Sequence, residues 1–123
     1  MKSILRFAFL SLLACAPAYA YEVQTGSVLI CDTQRQVERF VQLFDGTQQL
    51  AISAVNTEEH NPNACAMVDA AYVLGPQLGL ARSRSQAFEI TSVVVVGTAT
   101  PGGYRPVKPA IFFTPVSLKE FAV

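Results

Sequence analysis

Ser27-Val28-Leu29-Ile30-Cys31 is a short apolar run rich in β-formers and predicts a first strand. After it the spacing of apolar residues changes. Val37, Phe40, Val41 and Phe44 recur at i, i+3, i+4 and i+7, with Gln34, Arg35, Glu38, Arg39 and Gln42 on the other side, which is the pattern of an amphipathic helix. Asp32 and Thr33 stand where an N-cap is needed, and Gln36 follows Thr33 by three residues, as in a capping box. Asp45-Gly46 supplies the stop, because glycine accepts the left-handed conformation that closes many helices. Thr47 then opens a shorter second helix in which Leu50, Ala51, Ala54 and Val55 share a face, although Ile52 and Ser53 also fit an extended chain. Glu58 to Ala64 has no period and contains Asn61-Pro62, so it predicts a surface loop that delivers the chain to Cys65.

Beyond Cys65 the period is two. Ala66, Val68, Ala70, Tyr72 and Leu74 alternate with Met67, Asp69, Ala71 and Val73 until Gly75-Pro76, where the strand is expected to stop. Gln77 to Gln86 reads as a polar connection with room for a short strand of its own. Phe88 to Val96, with its four consecutive valines, predicts a central strand covered on both faces. Thr100-Pro101-Gly102-Gly103 is a turn, and Ala110 to Thr114 returns as a strand that Pro109 and Pro115 push toward a sheet edge. Val116 to Val123 offers one more edge strand. The order implies an α+β fold: an N-terminal strand and one or two helices, then a three- to four-stranded antiparallel sheet, curled or closed into a small barrel, with one disulfide.

The apolar residues before position 21 belong to a different kind of segment. Lys2 and Arg6 precede an apolar run from Phe7 to Ala14, and the tail ends Ala18-Tyr19-Ala20. That arrangement is a secretory leader with cleavage after Ala20, its apolar run too short to span a bilayer. Residues 21–123 then form a single domain, a size that supports one core. Leu12-Leu13-Ala14-Cys15 gives an alternative: it looks like a lipobox, and acylation of Cys15 would leave the protein lipid-anchored. Either route places the domain in the periplasm or outside the cell.

Of three cysteines, Cys15 falls in the leader, which leaves Cys31 and Cys65 as an even pair bound for an oxidising compartment. A bond between them closes a loop of about 35 residues and contributes about 3 to 4 kcal/mol through the unfolded chain. From residue 21 on, seven Lys and Arg face nine Asp and Glu, a net charge near −2. Such a balance excludes wholesale binding to nucleic acid or to an anionic membrane. No later apolar stretch approaches the length of a transmembrane helix.

Taken together, Ile30-Cys31-Asp32-Thr33, Gln36 to Val41, Asn61-Pro62-Asn63-Ala64-Cys65 and the valine-rich strand closing on a proline-flanked one resemble small secreted proteins of bacteria to which no activity is assigned. The likeness covers nearly all of the chain after the leader. It implies a bacterial, periplasmic origin and the Cys31–Cys65 pairing, and it carries no catalytic or binding residue.

Candidate chemistry is sparse. His60 is the only histidine, and Glu58, Glu59, His60 and Asn61 would have to converge from one loop to hold a divalent ion; the spacing matches no metal motif, and a solvated acidic loop is the plainer reading. No metal or cofactor is implied. Ser53, Ser83, Ser85 and Ser92 sit in no nucleophile motif, and Asp69 and Glu89 would meet only through long-range folding. Arg82 and Arg84 at i and i+2 project to one side of an extended chain and suit an anion, with Arg105 and Lys108 enlarging the patch. Tyr104 at a turn tip is a further contact residue. The expected function is a non-enzymatic binding or structural module contacting its partner through its sheet and the 82–85 and 101–105 connections. No partner is named by the sequence; an envelope or extracellular protein is the class such a module would meet. The rivals are an inhibitor of a secreted hydrolase, acting through the 56–63 loop, and an enzyme or metal binder centred on His60.

Overall fold

The computed structural model describes residues 22–118, so the expected leader with its expected cleavage after Ala20, Cys15 and the residues from Lys119 on lie outside the described residues. Its elements are β1 (Val23–Cys31), α1 (Gln34–Leu43), α2 (Gln48–Glu58), β2 (Cys65–Arg82), β3 (Ala87–Thr100) and β4 (Gly103–Ser117). The four strands follow one another antiparallel and close into a barrel. This is the α+β architecture expected, with the strand before the helices and the sheet after them.

Local signals account for the first half. Thr33 Oγ1 accepts a hydrogen bond from the Gln36 amide and Gln36 Oε1 accepts one from the Thr33 amide, each at 3.1 Å, so the capping box is complete. Val37, Phe40 and Val41 are buried along the apolar stripe of α1. Phe44, the fourth member of that stripe, stands just past the helix in extended conformation and still stacks on Phe40 at 5.8 Å. α2 runs further than expected, to Glu58, and its buried face is Ala51, Ile52 and Val55, while Leu50 is 65 % exposed. Docking against α1 and the sheet selects that face over the one that included Leu50.

The sheet departs from expectation at its prolines. β2 does not stop at Gly75-Pro76; it continues to Arg82, and the ladder with β3 absorbs the extra residues in register shifts between Leu74 and Gln77 and between Gln77 and Gly79. β1 pairs with β2 only as far as Val73, so past that point one edge of β2 is free and the missing amide of Pro76 costs no bond there. Pro109 and Pro115 likewise lie within β4, not at its margins, and Val116 and Ser117 extend this same strand.

Two groups of side chains fill the interior. Leu29, Val37, Phe40, Val41, Ile52, Val55, Phe88 and Ile90 join the disulfide between the helices and the sheet. Val28, Ala70, Val93 and Val95 are buried outside that cluster. β3 therefore buries even positions at its start and odd positions further on, which is why its sequence is apolar without a break. Between the two groups, Thr91 and Thr114 face each other across β3 and β4, both buried. The Thr91 hydroxyl has no hydrogen-bond partner among the described residues. Thr91→Val, which removes that hydroxyl at nearly constant volume, is expected to raise stability by about 1 kcal/mol, read as a higher urea midpoint at unchanged slope. A lower midpoint would show that the hydroxyl is bonded in solution.

Candidate functional site

The barrel closes through a single pair. β1 and β4 meet in register only at Cys31 and Phe113. Cys31 is also bonded to Cys65, which lies directly opposite it at the start of β2. Away from this point the two strands splay, and Pro115 has no N–H with which to continue a ladder toward β1. Between them lies a cleft of about 530 Å³, lined by Ser27, Val28 and Leu29 on β1 and by Thr114 to Ser117 on β4.

Its apolar lining comes from distant parts of the chain: Leu29 from β1, Phe40 from α1, Phe44 from the loop after it, Met67 and Leu74 from β2 and Phe88 from β3. Phe44 and Phe88 meet edge to face at 5.5 Å, which fixes both rings. Among the described residues the polar lining is neutral, and much of it is already engaged. Gln48 donates to the Met67 sulfur at 3.1 Å, Tyr72 donates to Gln24 Oε1 at 3.4 Å, and Gln86 donates to the Ser117 hydroxyl. Among the described residues no charged side chain lines the cleft. Such a site favours ligands with an apolar body and no net charge, since an ion entering it would lose hydration without gaining a counter-charge.

The arginines and the tyrosine singled out by sequence do not come together. Arg82 ends β2 opposite Ala87, and Arg84 lies in the following turn, which Ser83 organises by accepting from the Ser85 and Gln86 amides. Tyr104 and Arg105 begin β4, where Arg105 pairs with Thr98. From Ala87 to Thr98 along β3 is roughly 35 Å in an extended strand, so these residues form two separate surfaces and not one patch. Gln86, at the end of the turn after β2, lines the cleft, whereas Arg82 and Arg84 do not. Tyr104 instead donates to Asp69 Oδ1 at 2.7 Å, and that bond holds the phenol above the ordinary tyrosine range. Asp69 is thereby committed at the Tyr104 end of the sheet, whereas Glu89 pairs with Leu80 and Val116 toward the other.

The acidic loop is also spoken for. Arg39 forms a two-point ion pair with Glu58 at 2.8 and 2.9 Å, and this hydrogen bonding holds the Glu58 carboxyl below its usual range. Glu59 accepts from Gln36 at 3.0 Å. His60 is exposed at φ 54°, the left-handed position that ends α2, and its amide donates to Thr57. Among the described residues no three His, Cys, Asp or Glu side chains are grouped to hold a metal ion. Of the 56–63 segment, the first three residues are helix and the rest is tied down: Asn56 donates to the carbonyls of Pro62 and Cys65 and accepts from the Cys65 amide, all within 3.0 Å. This Asn56 clamp has no signature in sequence, since an asparagine inside a helical stretch reads as a solvent-facing position.

Comparison with known proteins adds no relative: no family model, curated protein or solved structure matches the chain. Among the described residues no helix is long and apolar enough to cross a membrane.

Proposed function

We propose that this chain is a small secreted or periplasmic binding module that performs no chemistry of its own and takes up an apolar, uncharged ligand in the cleft between β1 and β4. The observation that supports this reading is the cleft itself: it has pocket dimensions, an apolar lining contributed by both helical and sheet segments, and only neutral polar groups among the described residues that line it. The Cys31–Cys65 bond suits an oxidising compartment and ties β1 to β2 at the residue where β1 also meets β4. Arg82 and Arg84 stand in or beside the turn that borders one end of the cleft, where they would meet an acidic part of a larger partner. Tyr104 and Arg105 lie at the far end of β3 and have no part in it.

Nile red, a neutral apolar dye whose emission rises on leaving water, tests the reading directly. Titration of the purified domain should give a saturable rise in emission. Met67→Lys, at a half-exposed position on the cleft, should weaken uptake by about tenfold or more, because the added charge has no partner there. Ile111→Lys, at a 66 % exposed position that does not line the cleft, should leave it unchanged. Equal uptake by both variants, or none by the wild type, would overturn the assignment.

A further inference from the structure

We infer that the occupant of the cleft is an extended, uncharged peptide segment of another protein, added to the free edge of β1 as a fifth strand. The inference rests on the cleft reading above and goes one step beyond it. Three strand edges are unpaired over part of their length. That of β4 carries Pro106, Lys108, Pro109 and Pro115, and that of β2 beyond Leu74 carries Pro76 within two register shifts. Prolines, lysines and bulges are the devices by which proteins keep sheet edges from pairing with foreign strands. The edge of β1 has none of them: Val23 to Ile30 contains no proline and no charged residue, and its ladder to β2 runs without a shift.

This unblunted edge is the one that borders the cleft. Eight residues from Val23 to Ile30 present about 26 Å of backbone, and among the described residues their outward groups meet no strand until Cys31 reaches Phe113. A strand laid there would satisfy those groups with main-chain hydrogen bonds. Alternate side chains would point toward Leu29, Phe44 and Met67, and the intervening ones away. The lining, neutral among the described residues, sets the chemistry of the inward positions, since a Lys or Glu at any of them would be buried with no counter-charge from those residues. A small apolar molecule would use the lining and leave the β1 edge unsatisfied; a peptide strand uses both.

The test selects peptides from a phage-displayed library of random nonapeptides on the purified domain, then measures end-capped synthetic copies by competition with Nile red. Enriched sequences should lack proline and charge through a central window and alternate apolar with polar residues. Methylating successive backbone nitrogens of a selected peptide should weaken binding by about tenfold at every second position and by less than about twofold between them, since only alternate amides of an added strand donate to its neighbour. Sensitivity without that alternation, or selected peptides rich in proline or charge, overturns the inference. Nile red uptake with no peptide enriched also overturns it and leaves the cleft reading standing, whereas loss of both removes the cleft reading as well. A dimer of the domain that excludes dye and peptide alike would make a second copy the occupant and would likewise overturn it.

Discussion

Phe40→Ala is expected to lower the stability of the domain by about 3 to 5 kcal/mol, a large part of the 5 to 15 kcal/mol typical for a chain of this size. Phe40 is 2 % exposed and sits where α1 meets the sheet, stacked on Phe44, which in turn packs edge to face on Phe88. Truncation removes the ring on which Phe44 packs and leaves a void that α1, held at its start by the capping box, cannot collapse into. Urea unfolding should show a much lower midpoint with an unchanged slope. Because Phe40 also lines the cleft, Phe40→Leu, expected to cost less, should keep the fold while altering Nile red affinity. A loss below about 1 kcal/mol for the alanine variant would mean that α1 is not docked on the sheet as described.

The elements that were legible in the sequence are those whose causes are local. The apolar run of β1, the Thr33 and Gln36 capping box, the valines of β3 and the Thr100–Gly103 turn each rest on residues within a few positions of one another. The disulfide was legible by count, once Cys15 was assigned to the leader. What was not legible depends on partners. Gly75-Pro76 reads as a stop, yet on a strand with one free edge it becomes a bulge, and only the length of β1 decides which. The prolines of β4 read as strand margins for the same reason.

The cleft was less legible still. Leu29, Phe40, Phe44, Met67 and Phe88 each read as core positions of their own segment, and they become a site only because β1 and β4 fail to pair beyond Cys31 and Phe113. Failure of two strands to meet has no motif. The nearest trace in the sequence is an asymmetry between edges: prolines and a lysine on β4, none on β1. Conversely, the i and i+2 arginines read as sharing a side of one extended chain, but β2 ends at Arg82 and Arg84 lies in the turn that follows; the step that joined them to Arg105 assumed neighbouring turns, and β3 holds those turns at its two ends.

Removing the disulfide with Cys31→Ser and Cys65→Ser is expected to cost about 3 to 4 kcal/mol, as the 34-residue separation of the two cysteines implies. The loss acts chiefly through the unfolded chain, because the folded chain holds the same junction by other means. Cys31 and Cys65 are paired in the ladder, Asn56 clamps both backbone groups of Cys65, and the Asp32 amide donates to the Ala64 carbonyl. The double variant should therefore keep the native register of β1 on β2, seen as an unchanged far-ultraviolet spectrum and protected β1 amides, while its urea midpoint falls. Adding Asn56→Ala should then do more harm than it does in the oxidised protein, since each restraint covers for the loss of the other. Additive losses would show the two restraints to be independent, and a midpoint shift worth less than about 1 kcal/mol would show that the reduced chain is already organised around this junction. The consequence for binding follows from position: among the described residues Cys31 is the one β1 residue in register with β4, and it meets Phe113 through the backbone, not through the disulfide, which ties β1 to β2. A fully folded double variant should thus bind Nile red within about twofold of the wild type, since the ladder pairs and the Asn56 clamp that shape this end of the cleft remain.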